Sequence, residues 1–156
     1  MREEKLSNVT VESISSLIVQ TPALVTPETS IETMLRHVIQ DTRSRHAYVV
    51  DADNRLIGSV RFNNIIQYLF PSTILLELDD TPKISSFMEY SDATHVRQIM
   101  NTRPRYVQKS TPLAAMVRIM MEEKINELPV VDEQMHVIGE VNVLEIIAFA
   151  LQDVQA

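Results

Sequence analysis

The sequence predicts a mixed α+β fold built from two copies of one strand–helix–strand–strand–helix unit, and three observations carry that reading. First, Pro22 and Val25 return 82 positions later as Pro104 and Val107, and Thr29, Met34 and Arg36 return at the same offset as Thr111, Met116 and Arg118. Second, after one residue of slippage the offset becomes 81: Val49–Val50–Asp51 matches Val130–Val131–Asp132, Ile57–Gly58 matches Ile138–Gly139, Val60 matches Val141, and Ile65–Ile66 matches Ile146–Ile147. Third, the chain has only 2 glycines, Gly58 and Gly139, and they are an equivalent pair. A fixed period reveals architecture before any single residue does.

Each element has its own justification. Leu24–Val25–Thr26 and Tyr106–Val107–Gln108 read as short first strands. A helix follows each: Thr29 with Glu32 forms a capping-box pattern, and Thr111 before Pro112 places a cap ahead of a proline at the first helical position. Ile31, Leu35, Val38 and Ile39 give the first helix an apolar stripe, and Leu113, Met116, Val117, Met120 and Met121 do so for the second. Next come two hairpins, Tyr48–Val50 with Leu56–Val60 around the turn 51–55, and Pro129–Val131 with Val137–Val141 around the turn 132–136. Closing helices carry Ile65, Ile66 and Leu69, then Leu144, Ile146, Ile147 and Leu151. Val96–Met100 leads into the second copy as Ile14–Ile18 leads into the first, again 82 apart, so each repeat is expected to own its leading helix. The boundaries follow as 14–70 for the first domain, 71–95 for a helical linker that includes Ile74–Leu76 and Phe87–Met88, and 96–151 for the second.

A chain of 156 residues with 45% hydrophobic and 22% charged residues can bury a proper core and is not disordered. Its net charge of −7 argues against a general nucleic-acid binder. With 0 cysteines there is no thiolate nucleophile and no disulfide framework, which fits the cytoplasm. The longest apolar run, Ile146–Leu151, is too short to span a bilayer, and Met1–Lys5 followed by polar residues is not a signal peptide. No metal is expected, because His37, His46, His95 and His136 lack ligand spacing. Adjacent carboxylates such as Asp79–Asp80 and Glu122–Glu123 point to different sides of a helix, and no Walker loop or nucleophile elbow occurs, so the chain is read as no enzyme.

The unit order, the proline loop, Leu128–Pro129–Val130–Val131–Asp132 ahead of the second hairpin and Ile138–Gly139–Glu140–Val141 within it resemble the cystathionine beta-synthase (CBS) domain. The resemblance spans residues 14–151, and the second copy is the closer match, since Ala47–Tyr48–Val49–Val50–Asp51 stands where the family has Leu-Pro-Val-Val-Asp. It implies a tandem, stand-alone CBS pair, or Bateman module, packed about a pseudo-twofold axis. It further implies two clefts between the domains for an adenosine-containing ligand: AMP, ADP, ATP, S-adenosylmethionine or a cyclic dinucleotide. The family's Gly-x-x-Thr/Ser-x-x-Asp pattern uses a hydroxyl and a carboxylate to fix phosphate and ribose. Here Gly58 is followed by Arg61 and Asn64, and Gly139 by Asn142 and Glu145. Glu145 and Asn64 retain acceptors for ribose hydroxyls, and the Arg61 guanidinium suits a phosphate or, equally, a neighbouring carboxylate. Arg45, Arg103 and Arg105 form local positive islands in an acidic chain; each suits a phosphate, although solubility alone explains any one of them. Tyr48 and Pro129, at matching places in the two motifs, complete the nucleotide-binding set.

The expected function is therefore a non-catalytic regulatory sensor that binds an adenosyl ligand and signals to a partner protein by conformational change. No cofactor is required beyond the bound adenine nucleotide. The alternative is a structural dimerisation module with empty clefts. Both readings expect a homodimer, formed over apolar helix faces carrying Ile65, Ile66, Ile146 and Ile147.

Overall fold

The computed structural model describes residues 8–17, 22–40, 44–69 and 93–154. The residues expected to form the helical linker fall almost wholly outside these, as does Ile18. The chain divides into two compact units: a first-repeat unit of Ala23–Asp51 and Ile57–Thr102, and a second-repeat unit of Met1–Pro22, Ala52–Leu56 and Arg103–Ala156.

The first repeat runs β1 (Leu24–Val25), α1 (Ile31–Val38), β2 (His46–Val50), β3 (Leu56–Arg61) and α2 (Phe62–Leu69). The second runs β4 (Val107–Gln108), α3 (Leu113–Glu123), β5 (Glu127–Val131), β6 (Val137–Asn142) and α4 (Val143–Val154). This is the unit order the sequence predicts, twice, each copy making a three-stranded sheet, β1-β2-β3 and β4-β5-β6. The first strand of each sheet is parallel to the second, and the parallel pairs Val25–Val49 and Val107–Val130 are one contact in two copies. β5 and β6 are antiparallel, with Val130 opposite Gly139 and a bulge before Val131.

The helix starts differ from expectation in a consistent way. Ser30, not Thr29, caps α1, its hydroxyl accepting from the Thr33 amide at 3.1 Å. Glu32 is drawn instead to Arg36, one turn on, at 2.7 Å. Pro112 occupies the cap position of α3, and Leu113 is the first helical residue. The two threonines do something else, and both do the same thing. Thr29 Oγ1 accepts from the Thr26 amide at 3.0 Å and Thr111 Oγ1 from the Gln108 amide at 2.9 Å, closing the turn between first strand and helix. α3 ends on Lys124 in the left-handed region, φ 53.

Each unit has one apolar core. In the first, Val25, Ile31, Met34, Val38, Ala47, Val49, Val60 and Ile65 pack with Val96 and Ile99; in the second, Val107, Leu113, Met116, Met120, Leu128, Val130 and Val141 pack with Val11 and Ile14. The leading segments are therefore exchanged: the one before the first repeat completes the core of the second, and the one before the second completes the core of the first. This corrects the expectation that each repeat owns its leading helix. The hydrogen bonds also correct its register. Val11 donates to the Thr111 carbonyl and Val96 to the Thr29 carbonyl; Glu12 donates to Lys109 and Arg97 to Pro27; Leu113 donates to Val9 and Ile31 to Thr94. These pairs match Val11 with Val96 and Ile14 with Ile99, an offset of 85 where the sequence reading used 82.

The apolar stripes need three adjustments. Met34 is fully buried in α1, whereas Ile39 and its equivalent Met121 are exposed. Of the four isoleucines expected on an outward face, Ile66 and Ile147 are exposed, but Ile65 is buried and Ile146 packs on the core. Leu144 and Leu151 join Ile147 on the open side of α4.

Candidate functional site: the two strand–helix junctions

At each junction the last strand of the hairpin passes into the closing helix, and a main-chain bond fixes the passage. The Phe62 amide donates to the Arg45 carbonyl at 3.1 Å, and the equivalent Val143 amide donates to the Asn126 carbonyl at 2.8 Å. Alternation along the strands sets the rest. Since Ala47, Val49 and Val60 face the core of the first-repeat unit, His46, Tyr48, Ser59 and Arg61 lie on the other face of the sheet. By the same argument Glu127, Pro129, Glu140 and Asn142 lie on the face of β5 and β6 turned from Leu128, Val130 and Val141.

In the first-repeat unit the structure gathers Arg45, Arg61 and Asn64 at the junction of β3 and α2, with Arg45 and Asn64 exposed and Arg61 half-buried. Tyr48 is buried and its ring stacks on His46, centroids 6.0 Å apart and planes within 4°. Gly58 lies in the middle of β3 with ordinary extended backbone, so its value is not conformational freedom. A Cβ there would stand 3.1 Å from the Asn101 carbonyl oxygen, 3.1 Å from Met100 Sδ and 3.3 Å from Val49 Cβ. Ser59 and Asn101 exchange main-chain bonds of 3.1 and 2.8 Å, so the close neighbour of this glycine is the chain's own backbone.

In the second-repeat unit Asn142 and Glu145 are brought together where both side chains cap the start of α4. The Asn142 side chain accepts from the Leu144 amide at 2.8 Å, and Glu145 Oε2 accepts from the Asn142 amide. One carboxylate oxygen of Glu145 is thus engaged in starting α4. Pro129 and Gly139 lie inside the sheet, both buried. Arg103 and Arg105 precede β4, at the opposite edge of the sheet from β6, and Arg105 pairs with Glu123 of α3 at 2.8 Å.

Sequence reasoning passed over two residues on these faces, Glu127 and Glu140, both buried. Their signal was the 81-residue offset itself, which sets them against His46 and Ser59. The second hairpin turn is also more organised than its composition suggests. Asp132 Oδ1 accepts from the Gln134 and His136 amides at 2.9 and 2.8 Å, while Oδ2 meets His136 Nδ1 at 2.9 Å. Partial desolvation pushes the Asp132 carboxyl up, but the His136 ring and amide and the Gln134 amide outweigh it and hold it below its ordinary value.

Two copies of this fold, each with a glycine-bearing hairpin feeding a helix, define a CBS pair. The CBS domain family model matches residues 13–71 and 96–151, and the chain belongs to that family. Among solved structures it is similar to a CBS domain-containing protein from Thermotoga maritima, 28% identical over 92% of this chain and 95% of that one, TM-score 0.73. It is similar to CBSX2 from Arabidopsis thaliana, 22% identical over 94% and 97%, TM-score 0.73; CBSX2 has also been crystallised in complex with AMP. It is similar, too, to the CBS domain pair of protein MJ0100 in complex with 5′-methylthioadenosine and S-adenosyl-L-methionine, 18% identical over 93% and 98%, TM-score 0.69. No curated protein sequence matches the chain. Among the described residues no helix is long and apolar enough to cross a membrane.

Proposed function

We propose that this chain is a non-catalytic regulatory module that binds an adenosine-containing ligand at its strand–helix junctions and passes the binding event to a partner protein. The observation that carries the reading is the pairing, at equivalent places, of Arg61 with Asn64 and of Asn142 with Glu145 in a CBS pair. These groups accept ribose hydroxyls and, at Arg61, offer a phosphate two parallel donors. The AMP held by CBSX2 and the adenosyl ligands held by the MJ0100 pair support the class of ligand. Arg45, Arg103 and Arg105 add positive potential in a chain of net charge −7. Tyr48 and the two glycines act behind the ligand, as the packed floor of the sheet. Signalling follows from differential affinity: a ligand shifts the module only to the extent that it binds one packing better than another. The chain works in the cytoplasm as a homodimer.

A second reading, a dimerisation module with no nucleotide, is favoured by the exposed stripe Leu144, Ile147 and Leu151 on α4. Thermal melts separate the two. AMP, ATP, S-adenosylmethionine or cyclic di-AMP at 100 times its dissociation constant raises stability by about 2.7 kcal/mol under the sensor reading. No shift with any of the four overturns it in favour of the dimerisation module.

A further inference from the structure

The two exchanged leading segments carry the same anchors. At the offset of 85, Val11 and Ile14 answer to Val96 and Ile99, and all four are buried. The main chain of each is held by three equivalent bonds to the turn between first strand and helix or to the helix start. Even the local caps correspond: the Thr10 amide donates to the Ser13 hydroxyl at 3.2 Å and the His95 amide to the Gln98 side chain at 2.9 Å. Valine, isoleucine and main chain, being alike in both segments, cannot tell one docking turn from the other.

The position between the anchors differs, and it differs in sign. Glu12 of the first segment answers to Arg97 of the second. Glu12 Oε2 meets Lys109 Nζ at 3.3 Å, whereas Arg97 Nη1 donates to both carboxylate oxygens of Glu28 at 2.6 and 2.7 Å. Lys109 is the residue whose carbonyl takes the Glu12 amide, and Glu28 follows Pro27, whose carbonyl takes the Arg97 amide. All four side chains are more than half exposed, so each pair on its own adds little stability. Their arrangement matters more than their strength. Were each segment to dock on the repeat it precedes, Glu12 would come to the turn carrying Glu28, and Arg97 to the turn carrying Lys109. Two opposite-charge contacts would become two like-charge ones.

We propose that the turns at 26–29 and 108–111 are docking surfaces that choose their leading segment by charge: the first accepts a segment with a cation beside its buried valine, the second a segment with an anion there. Glu28 and Lys109 read the sign, and Arg97 and Glu12 present it. The apolar anchors supply the affinity of docking, and the four charges supply its specificity, refusing the self-docked arrangement by repulsion.

Disulfide competition in the full chain tests it, since the chain has 0 cysteines of its own. Thr10 bridges Pro112, and Ser30 bridges His95. Both are non-hydrogen-bonded antiparallel pairs flanked by the main-chain bonds above, which brings their Cα atoms to about 4.5 Å, within reach of a disulfide. With Thr10→Cys, Ser30→Cys and Pro112→Cys together, the thiol at position 10 chooses between positions 112 and 30, and peptide mapping after mild oxidation gives the ratio. The 10–112 product should dominate. An exposed ion pair shifts an equilibrium only a few-fold, but Glu12→Arg with Arg97→Glu turns two attractions into two repulsions, so the ratio should fall by about 10-fold or more. Adding Lys109→Glu and Glu28→Lys should restore it, and about 1 M salt should blunt the fall. Loss of both products in the first charge exchange, with recovery of 10–112 in the second, also supports the proposal, because the mismatched segment is then refused. An unchanged ratio after the first exchange, or no recovery after the second, overturns it.

Discussion

The two repeats agree where the backbone must be held and part company where side chains face away from their cores. Thr29 and Thr111 close the same turn with bonds of 3.0 and 2.9 Å, and the amides of Phe62 and Val143 anchor the same junction. Against this, Arg61 and Asn142, or Ser59 and Glu140, share an address and nothing chemical. A duplicated fold constrains the groups that satisfy main-chain donors and acceptors, since an unmet one costs stability in either copy. Side chains beyond that framework are at liberty to diverge, and divergence there is where two copies acquire different tasks.

The sharpest way to break the comparison is through the exchanged leading segments. Ile14 precedes the first repeat but is fully buried in the core of the second-repeat unit. Ile14→Ala should cost about 2–5 kcal/mol, transfer and cavity together. Amide hydrogen exchange locates the damage: protection should fall in β4, β5 and β6 while β1 and β2 keep theirs. The mirror variant Ile99→Ala, at a site 8% exposed, should cost less and loosen the first-repeat sheet. Damage confined to the repeat that each residue precedes would refute the exchange.

Next in size is Gly58. A methyl group there meets the Asn101 carbonyl and Met100 Sδ, both at 3.1 Å, and Asn101 is tied to Ser59 by two main-chain bonds, one accepted by that carbonyl and one donated by its own amide. Backbone cannot retreat as a flexible side chain can, so Gly58→Ala should destabilise by about 1–3 kcal/mol in denaturant titration. An unchanged midpoint would mean that the 100–101 segment yields freely and that the glycine is kept for another reason.

The repeat made the fold legible, because the periodicity of Val25, Val49 and Val60 and of their counterparts Val107, Val130 and Val141 is the periodicity of the cores themselves. Local chemistry was less so. Thr29 with Glu32 has the spacing of a capping box, but Ser30 stands one residue later with a hydroxyl as good, and Arg36 competes for the glutamate. The leading segments matched at 82 by hydrophobic pattern, yet 85 is the offset at which their amides find carbonyls, and hydrogen-bond partners from a distant loop leave no mark in a local pattern. What Gly58 is needed for is not legible in its local pattern, because its close neighbour is Asn101, more than forty positions along the chain. At the candidate site the residue types were visible, but that the Asn142 and Glu145 side chains both hold main-chain amides at the start of α4 follows only from their geometry there.

The smallest effect distinguishes the two hairpin turns. Both hold one non-glycine residue in the left-handed region, Asn54 at φ 60 and Met135 at φ 70, and both begin with an aspartate, Asp51 and Asp132. Asparagine tolerates that conformation well; methionine does not, so the second turn needs outside support. Asp132 supplies it by accepting from two amides and meeting the His136 ring. Its carboxyl is held below the ordinary Asp value, 3.8, so the ionised form is favoured by folding. The stabilisation is then fully present above that value and is lost as pH falls through the folded-state value. Asp132→Asn keeps an oxygen for the two amides, removes the charge and puts an NH2 group where an oxygen now meets the His136 ring. Its stability deficit should therefore shrink below about pH 4, where protonation has already cost the native turn the same interaction. A deficit that persists unchanged into acid would assign the turn's support to the amide bonds alone.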